Sequence, residues 1–109
     1  MRSRQQVSPA GDWDVCLSGI SNGAFGSRHC YRSPAGNDRA PAFLAGGHGL
    51  VFVSDRAARR SGVSSLYRLD LRTGSVSRLT PAGYDVGSPA VTPGGHSVVF
   101  VRRALVPLR

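Results

Sequence analysis

The chain is predicted to be all-β, assembled from a repeated antiparallel unit. Three observations predict it. First, Pro41-Ala42-Phe43-Leu44-Ala45-Gly46-Gly47-His48-Gly49-Leu50-Val51-Phe52-Val53 returns 48 residues later, without a gap, as Pro89-Ala90-Val91-Thr92-Pro93-Gly94-Gly95-His96-Ser97-Val98-Val99-Phe100-Val101. A recurring unit of this length marks a repeat architecture. Second, the apolar runs are short and rich in Val, Leu and Phe, residues that suit a pleated strand. Third, 14 Gly and 7 Pro, with neither Glu nor Lys, leave few strong helix formers.

Taken in order, residues 1–11 are polar and aperiodic and read as a tail. Trp13-Asp14-Val15-Cys16-Leu17 is a candidate strand, Asn22-Gly23 supplies the strongest short hairpin signal, and Arg28-His29-Cys30-Tyr31-Arg32 returns. Pro34-Ala35-Gly36-Asn37-Asp38 is echoed by Pro81-Ala82-Gly83-Tyr84-Asp85, with a small length difference before each Pro-Ala pair. Each copy of the long stretch reads as strand, glycine turn, strand. Between the copies, Ser65-Leu66-Tyr67-Arg68-Leu69-Asp70-Leu71 alternates apolar and polar, as a half-buried strand does. Arg72-Thr73-Gly74 is the turn and Ser75-Val76-Ser77-Arg78-Leu79-Thr80 the return. The loop from Ala57 to Val63, with Arg59 and Arg60, is expected to be exposed.

Residues 40–80 therefore form one complete unit of four strands. Residues 12–39 carry only an outer hairpin, residues 81–103 only an inner one, and 104–109 a tail. Four-stranded units repeating every 40 to 50 residues or so describe the blades of a β-propeller, here about two blades' worth. A closed propeller needs at least about four blades. The expectation is a piece of a longer propeller; the alternative is a chain that closes head to tail with copies of itself, one copy's last hairpin completing the next copy's first blade.

The 109 residues fit one small domain, and 40% hydrophobic residues argue against disorder of the whole chain. The net charge of +8 comes from Arg alone against six Asp. Such a balance suits an anionic partner, but the arginines are scattered, and neither a recognition helix nor a series of stacking aromatics accompanies them, so nucleic-acid binding is not predicted. No run has the length of a transmembrane helix, and Gln5-Gln6-Val7-Ser8-Pro9 after the basic first residues is no signal-peptide core.

The pattern Pro-Ala-Phe, glycine turn, Leu50-Val51-Phe52-Val53-Ser54-Asp55-Arg56, then Ser65-Leu66-Tyr67-Arg68-Leu69-Asp70-Leu71 and Arg78-Leu79-Thr80 resembles the TolB-type β-propeller repeat. It is similar as well to the N-terminal propellers of prolyl-oligopeptidase-like peptidases. The likeness spans about Trp13 to Arg103. The chain departs from the family's Ser-Pro-Asp-Gly turn, which is Leu44-Ala45-Gly46-Gly47 and Thr92-Pro93-Gly94-Gly95 here, and its usual strand Trp is Phe43 and Val91. Arg102-Arg103 stands where Ser54-Asp55 stood. The resemblance implies a non-enzymatic scaffold for a protein or peptide partner, in the periplasm or otherwise outside the cytoplasm. Its runner-up is the noncatalytic propeller part of a serine peptidase.

One motif points to chemistry. Gly19-Ile20-Ser21-Asn22-Gly23 fits the Gly-x-Ser-x-Gly nucleophile elbow, with Asp38, Asp55 or Asp70 and then His96 in the triad order. The elbow needs a strand-to-helix turn, and Ala24-Phe25-Gly26-Ser27-Arg28 has little helical drive, so an Asn-Gly hairpin turn is the expected reading and an esterase the remote one. His48 and His96 occupy equivalent glycine turns with no metal-ligand spacing, and His29 alternates along a strand. Cys16 and Cys30 lie on the two arms of the first hairpin, where they either pair in an oxidising compartment or serve as small buried hydrophobes. Asp55 with Arg56 forms a blade-to-blade ion pair or ends a strand in water. No catalytic, cofactor-binding or metal-binding residue is predicted, and no cofactor.

Overall fold

The computed structural model describes residues 13–31, 36–57, 61–81 and 83–105. The N-terminal tail, residues 106–109 of the C-terminal one, and Arg59 and Arg60 of the connecting loop lie outside the described residues. Eight strands are present among the described residues: β1 (Val15–Ser21), β2 (Ala24–Tyr31), β3 (Asp38–Phe43), β4 (Gly49–Ser54), β5 (Ser65–Asp70), β6 (Val76–Arg78), β7 (Tyr84–Val91) and β8 (Val98–Ala104). They form three antiparallel sheets, β1-β2, β3-β4-β5-β6 and β7-β8. The chain is all-β, as predicted.

The first hairpin is longer than the sequence pattern suggests. β1 and β2 run up to Asn22 and Gly23, whose φ values of 51° and 77° form a two-residue loop of the kind that matches strand twist. Cys16 and Cys30 face each other across this pair and form a disulfide, with their Cα atoms 4.0 Å apart. The central sheet begins at Asp38, two residues before the predicted start of the complete unit.

β4 is buried at all six positions. Its alternate residues serve two cores. Leu50 and Phe52 join Val15, Tyr67 and Leu69 beneath the first hairpin. Val51 and Val53 join Leu66 and Val86 against the last hairpin, with Val91, Val98 and Phe100 packed around them. A strand covered on both faces reads as an unbroken apolar run, which is why Leu50-Val51-Phe52-Val53 shows no alternation.

The repeat is more regular in three dimensions than in sequence. The β3-β4 pair has an irregularity between Arg39 and Ala42, and β7-β8 has the same one between Gly87 and Ala90. Ala40 and Ser88, inside these bulges, share a positive φ of 54° and 50°. A single shift of 48 relates every one of these positions. The sequence echo that aligned Asp38 with Asp85 is therefore out of step by one: strand register sets Asp38 against Val86 and Asn37 against Asp85. The apparent length difference disappears.

The sheets are joined by main-chain contacts that also repeat. Asp38 donates its N–H to the Trp13 carbonyl at 2.8 Å, and Val86 donates to the Ser64 carbonyl at 2.9 Å. In return, the Trp13 N–H reaches Asn37 Oδ1 and the Ser64 N–H reaches Asp85 Oδ1, both at 2.9 Å. The glycine turns stack as well, Ala45 donating to the Gly95 carbonyl at 2.9 Å. Gly95 has φ +77°, and a Cβ there would stand 2.7 Å from the Ala45 nitrogen.

Two stability outcomes follow. Phe52→Ala should lower the free energy of unfolding in urea by about 3–5 kcal/mol, the usual range for a buried aromatic truncated to alanine. Gly95→Ala should cost roughly 1–3 kcal/mol through its backbone conformation and its clash with the neighbouring turn, whereas alanine at Gly94, whose Cβ would make only ordinary contact with the His96 ring, should cost less.

Candidate functional site

The residues of the Gly-x-Ser-x-Gly match do not form an elbow. Ser21 closes β1, and the chain turns at Asn22-Gly23 directly into β2, so a hairpin stands where a hydrolase needs a helix. The three candidate acids are engaged elsewhere. Asp38 pairs with Arg56, Asp55 accepts the Asn37 N–H at 2.6 Å, and Asp70 holds the β5-β6 turn by accepting the Arg72 N–H at 2.9 Å. His96 sits in the β7-β8 turn in the same setting as His48 in the β3-β4 turn, each ring 3.7 Å from the position of a Cβ on the glycine two residues earlier. No group of three or more His, Cys, Asp or Glu among the described residues is arranged to hold a metal ion. No helix among them is long and apolar enough to cross a membrane.

The most organised polar cluster centres on Arg56. Its Nη2 lies 3.1 Å from both carboxylate oxygens of Asp38, whose side chain is 1% exposed, and its Nε reaches Ser54 Oγ at 3.3 Å. The guanidinium also lies over the cross-strand pair Phe52 and Tyr67, 5.1 and 4.9 Å from the two ring centroids. Asp55, expected to pair with Arg56 or to end a strand in water, is buried, and the ion pair is made by Asp38 within one sheet. The cluster borders a cavity of about 320 Å³, lined also by His29, Tyr31 and Val15 between the first hairpin and the central sheet. Among the described residues that line it, Arg56 is paired with Asp38 and lies over two rings, and the cluster ties the start of β3 to the end of β4.

The second polar joint holds the last hairpin. Asp85 accepts the Ser64 N–H through one oxygen and Arg103 through the other, Nη2 to Oδ2 at 3.1 Å. The Ser64 hydrogen bond chiefly, then the hydrogen bond and charge of Arg103 and the charge of Arg39, hold the Asp85 carboxyl below its ordinary 3.8, against the opposing effect of burial. Sequence reasoning missed this role because the echo was read one residue out of step.

Besides the arginines, two exposed features stand out among the described residues. The stacked turns present His48 and His96 to solvent. The end hairpins and β3 present apolar side chains: Phe25, Ile20, Val99, Val101 and Phe43 are all more than half exposed. No protein-family model, curated protein or solved structure matches the chain.

The two joints make separate predictions. Asp38→Val should destabilise by about 1–3 kcal/mol, less than for a fully buried pair because Arg56 reaches water. Adding Arg56→Ala should recover part of that loss, since Val86 and Ala104 occupy these register positions in the last hairpin. Because the folded pKa of Asp85 is lowered, its contribution is complete above the ordinary carboxyl value and is lost as pH falls through the lowered one. The urea midpoint of the natural chain should therefore drop more steeply with acid than that of Asp85→Asn, whose amide oxygen still accepts the Ser64 N–H as Asn37 accepts that of Trp13.

Proposed function

We propose that the chain is a segment of a TolB-like β-propeller, acting without catalysis as a scaffold for a protein or peptide. One observation carries this: an inter-sheet joint of the same form, two main-chain N–H groups donating to one carbonyl and one side-chain oxygen, occurs twice, its two arms displaced by 51 and 48 residues. An assembly rule of that kind suits blades following one another around an axis. β3 to β6 then form a full blade, β1-β2 the outer half of the one before it, and β7-β8 the inner half of the one after.

The binding surface in this reading is the row of stacked glycine turns. Successive turns are locked by the Ala45 to Gly95 hydrogen bond, so His48 and His96 are held at fixed spacing on a rigid support. Imidazoles and exposed turn main chain offer donors and acceptors to an extended peptide, and a pre-organised surface spends little of its affinity on ordering. The engaged acids and the hairpin at Ser21 favour this scaffold over the esterase.

Panning a phage-displayed peptide library on the immobilised chain tests the reading. Enriched peptides should bind at least about fivefold more weakly to His48→Ala/His96→Ala, a loss of about 1 kcal/mol. Equal binding to that variant, or no enrichment, would count against it. A fluorophosphonate probe should label the natural chain no more than Ser21→Ala; labelling that vanishes in Ser21→Ala would restore the hydrolase.

A further inference from the structure

The two end hairpins are the two halves of the central sheet. β7-β8 repeats β3-β4 at a shift of 48. β1 repeats β5 at a shift of 51, which brings Trp13 onto Ser64 and Val15 onto Leu66 in the inter-sheet joints and the cores, and β2 repeats β6 at a shift of 48, Cys30 falling on Arg78. In the central sheet the halves are joined by β4 and β5, with Val51 opposite Arg68, Phe52 opposite Tyr67, Val53 opposite Leu66 and Ser54 opposite Ser65. At the ends the corresponding edges of β8 and β1 carry no strand among the described residues. Open edges of this kind are templates for pairing.

We propose that β8 pairs antiparallel with β1 of a second copy of this chain, so that β7-β8 of one copy and β1-β2 of the other complete a four-stranded sheet. Transposing the β4-β5 register sets Val99 opposite Leu17, Phe100 opposite Cys16, Val101 opposite Val15 and Arg102 opposite Asp14 of the second copy. Three pairs are apolar or small, and the fourth joins opposite charges. Such cross-strand pairs stabilise a sheet, and like charges in the same place destabilise it.

The exposure pattern agrees. Val51 and Val53 are buried against the following sheet, at 0% and 2%, whereas their counterparts Val99 and Val101 are 62% and 61% exposed. Val91 lies packed under the central sheet, whereas its counterpart Phe43 is 51% exposed. The missing cover over Phe43 of the second copy is the face that carries Val99 and Val101. The new contact therefore continues an interface already present inside each chain. A closed ring holds two sheets per copy, so rings of about four to eight sheets take about two to four copies. This pairing follows from register and exposure and is independent of what the glycine turns bind.

Light scattering on the eluting full chain, with far-UV circular dichroism, tests the pairing. The natural chain should elute as a discrete folded oligomer. Arg102→Asp and Asp14→Arg should each weaken assembly by at least about tenfold, because each sets like charges opposite one another. The double variant should recover it while both single variants keep the β spectrum. A folded monomer at the highest soluble concentration would overturn the proposal. Failure of the double variant to recover assembly lost in the single ones would overturn the register.

Discussion

β4 has no face of its own to give to water. All six of its residues are buried, so the central sheet is stable only if something apolar covers each side. The first hairpin supplies one cover through Val15, and the last hairpin supplies the other through Val86 and its neighbours. Everything else in the architecture follows from that demand. A cover that is itself a two-stranded sheet has an outer face and an edge that pairs with no strand among the described residues, and Val99 and Val101 of the last hairpin are exposed. The same requirement that buries the middle of the chain leaves apolar side chains of both hairpins exposed.

Hydrophobic contact is non-directional and does not by itself select one stacking of three sheets. The main-chain joints at Trp13 with Asp38 and at Ser64 with Val86 add direction and register. Each uses a side-chain oxygen one residue upstream, an amide in one case and a carboxylate in the other, to take the returning N–H. That an Asn and an Asp serve the same geometry explains why the chemistry of the repeat is preserved while its letters are not. The arginines illustrate the same point: Arg56 stacks on Phe52 and Tyr67 in the central sheet, whereas Arg102 lies 4.0 Å from the Tyr84 ring in the last hairpin. Both cover aromatic surface with a guanidinium plane, from different register positions.

This division of labour bears on function. The carboxylates that a sequence scan nominates for chemistry, Asp38, Asp55 and Asp70, are occupied in holding sheets and turns together, and no buried side-chain nitrogen or oxygen among the described residues lacks a partner. A site poised for catalysis usually keeps a strained or perturbed group in reserve. Here the perturbed carboxyl, Asp85, is perturbed by a structural hydrogen bond. Among the described residues, the stacked turns present His48 and His96 to solvent, and the end hairpins present apolar side chains.

The strand content, the hairpin at Asn22-Gly23 and the strand-turn-strand repeat were legible in the amino-acid order, because they depend on local backbone preference and on a pattern of period two. The 48-residue period was legible too, since the turns and apolar runs recur as letters. Three things were settled only by tertiary structure. Whether Cys16 and Cys30 meet depended on the β1-β2 register, which places them directly opposite. The partner of Arg56 proved to be Asp38, distant in sequence and brought beside it by the β3-β4 ladder. The equivalence of Asn37 with Asp85 was hidden because both residues serve through one side-chain oxygen, which letter identity does not register. Local preference chooses the elements, but which side chains meet is decided by register and by the burial of β4 on both faces, and neither is a property of any single stretch.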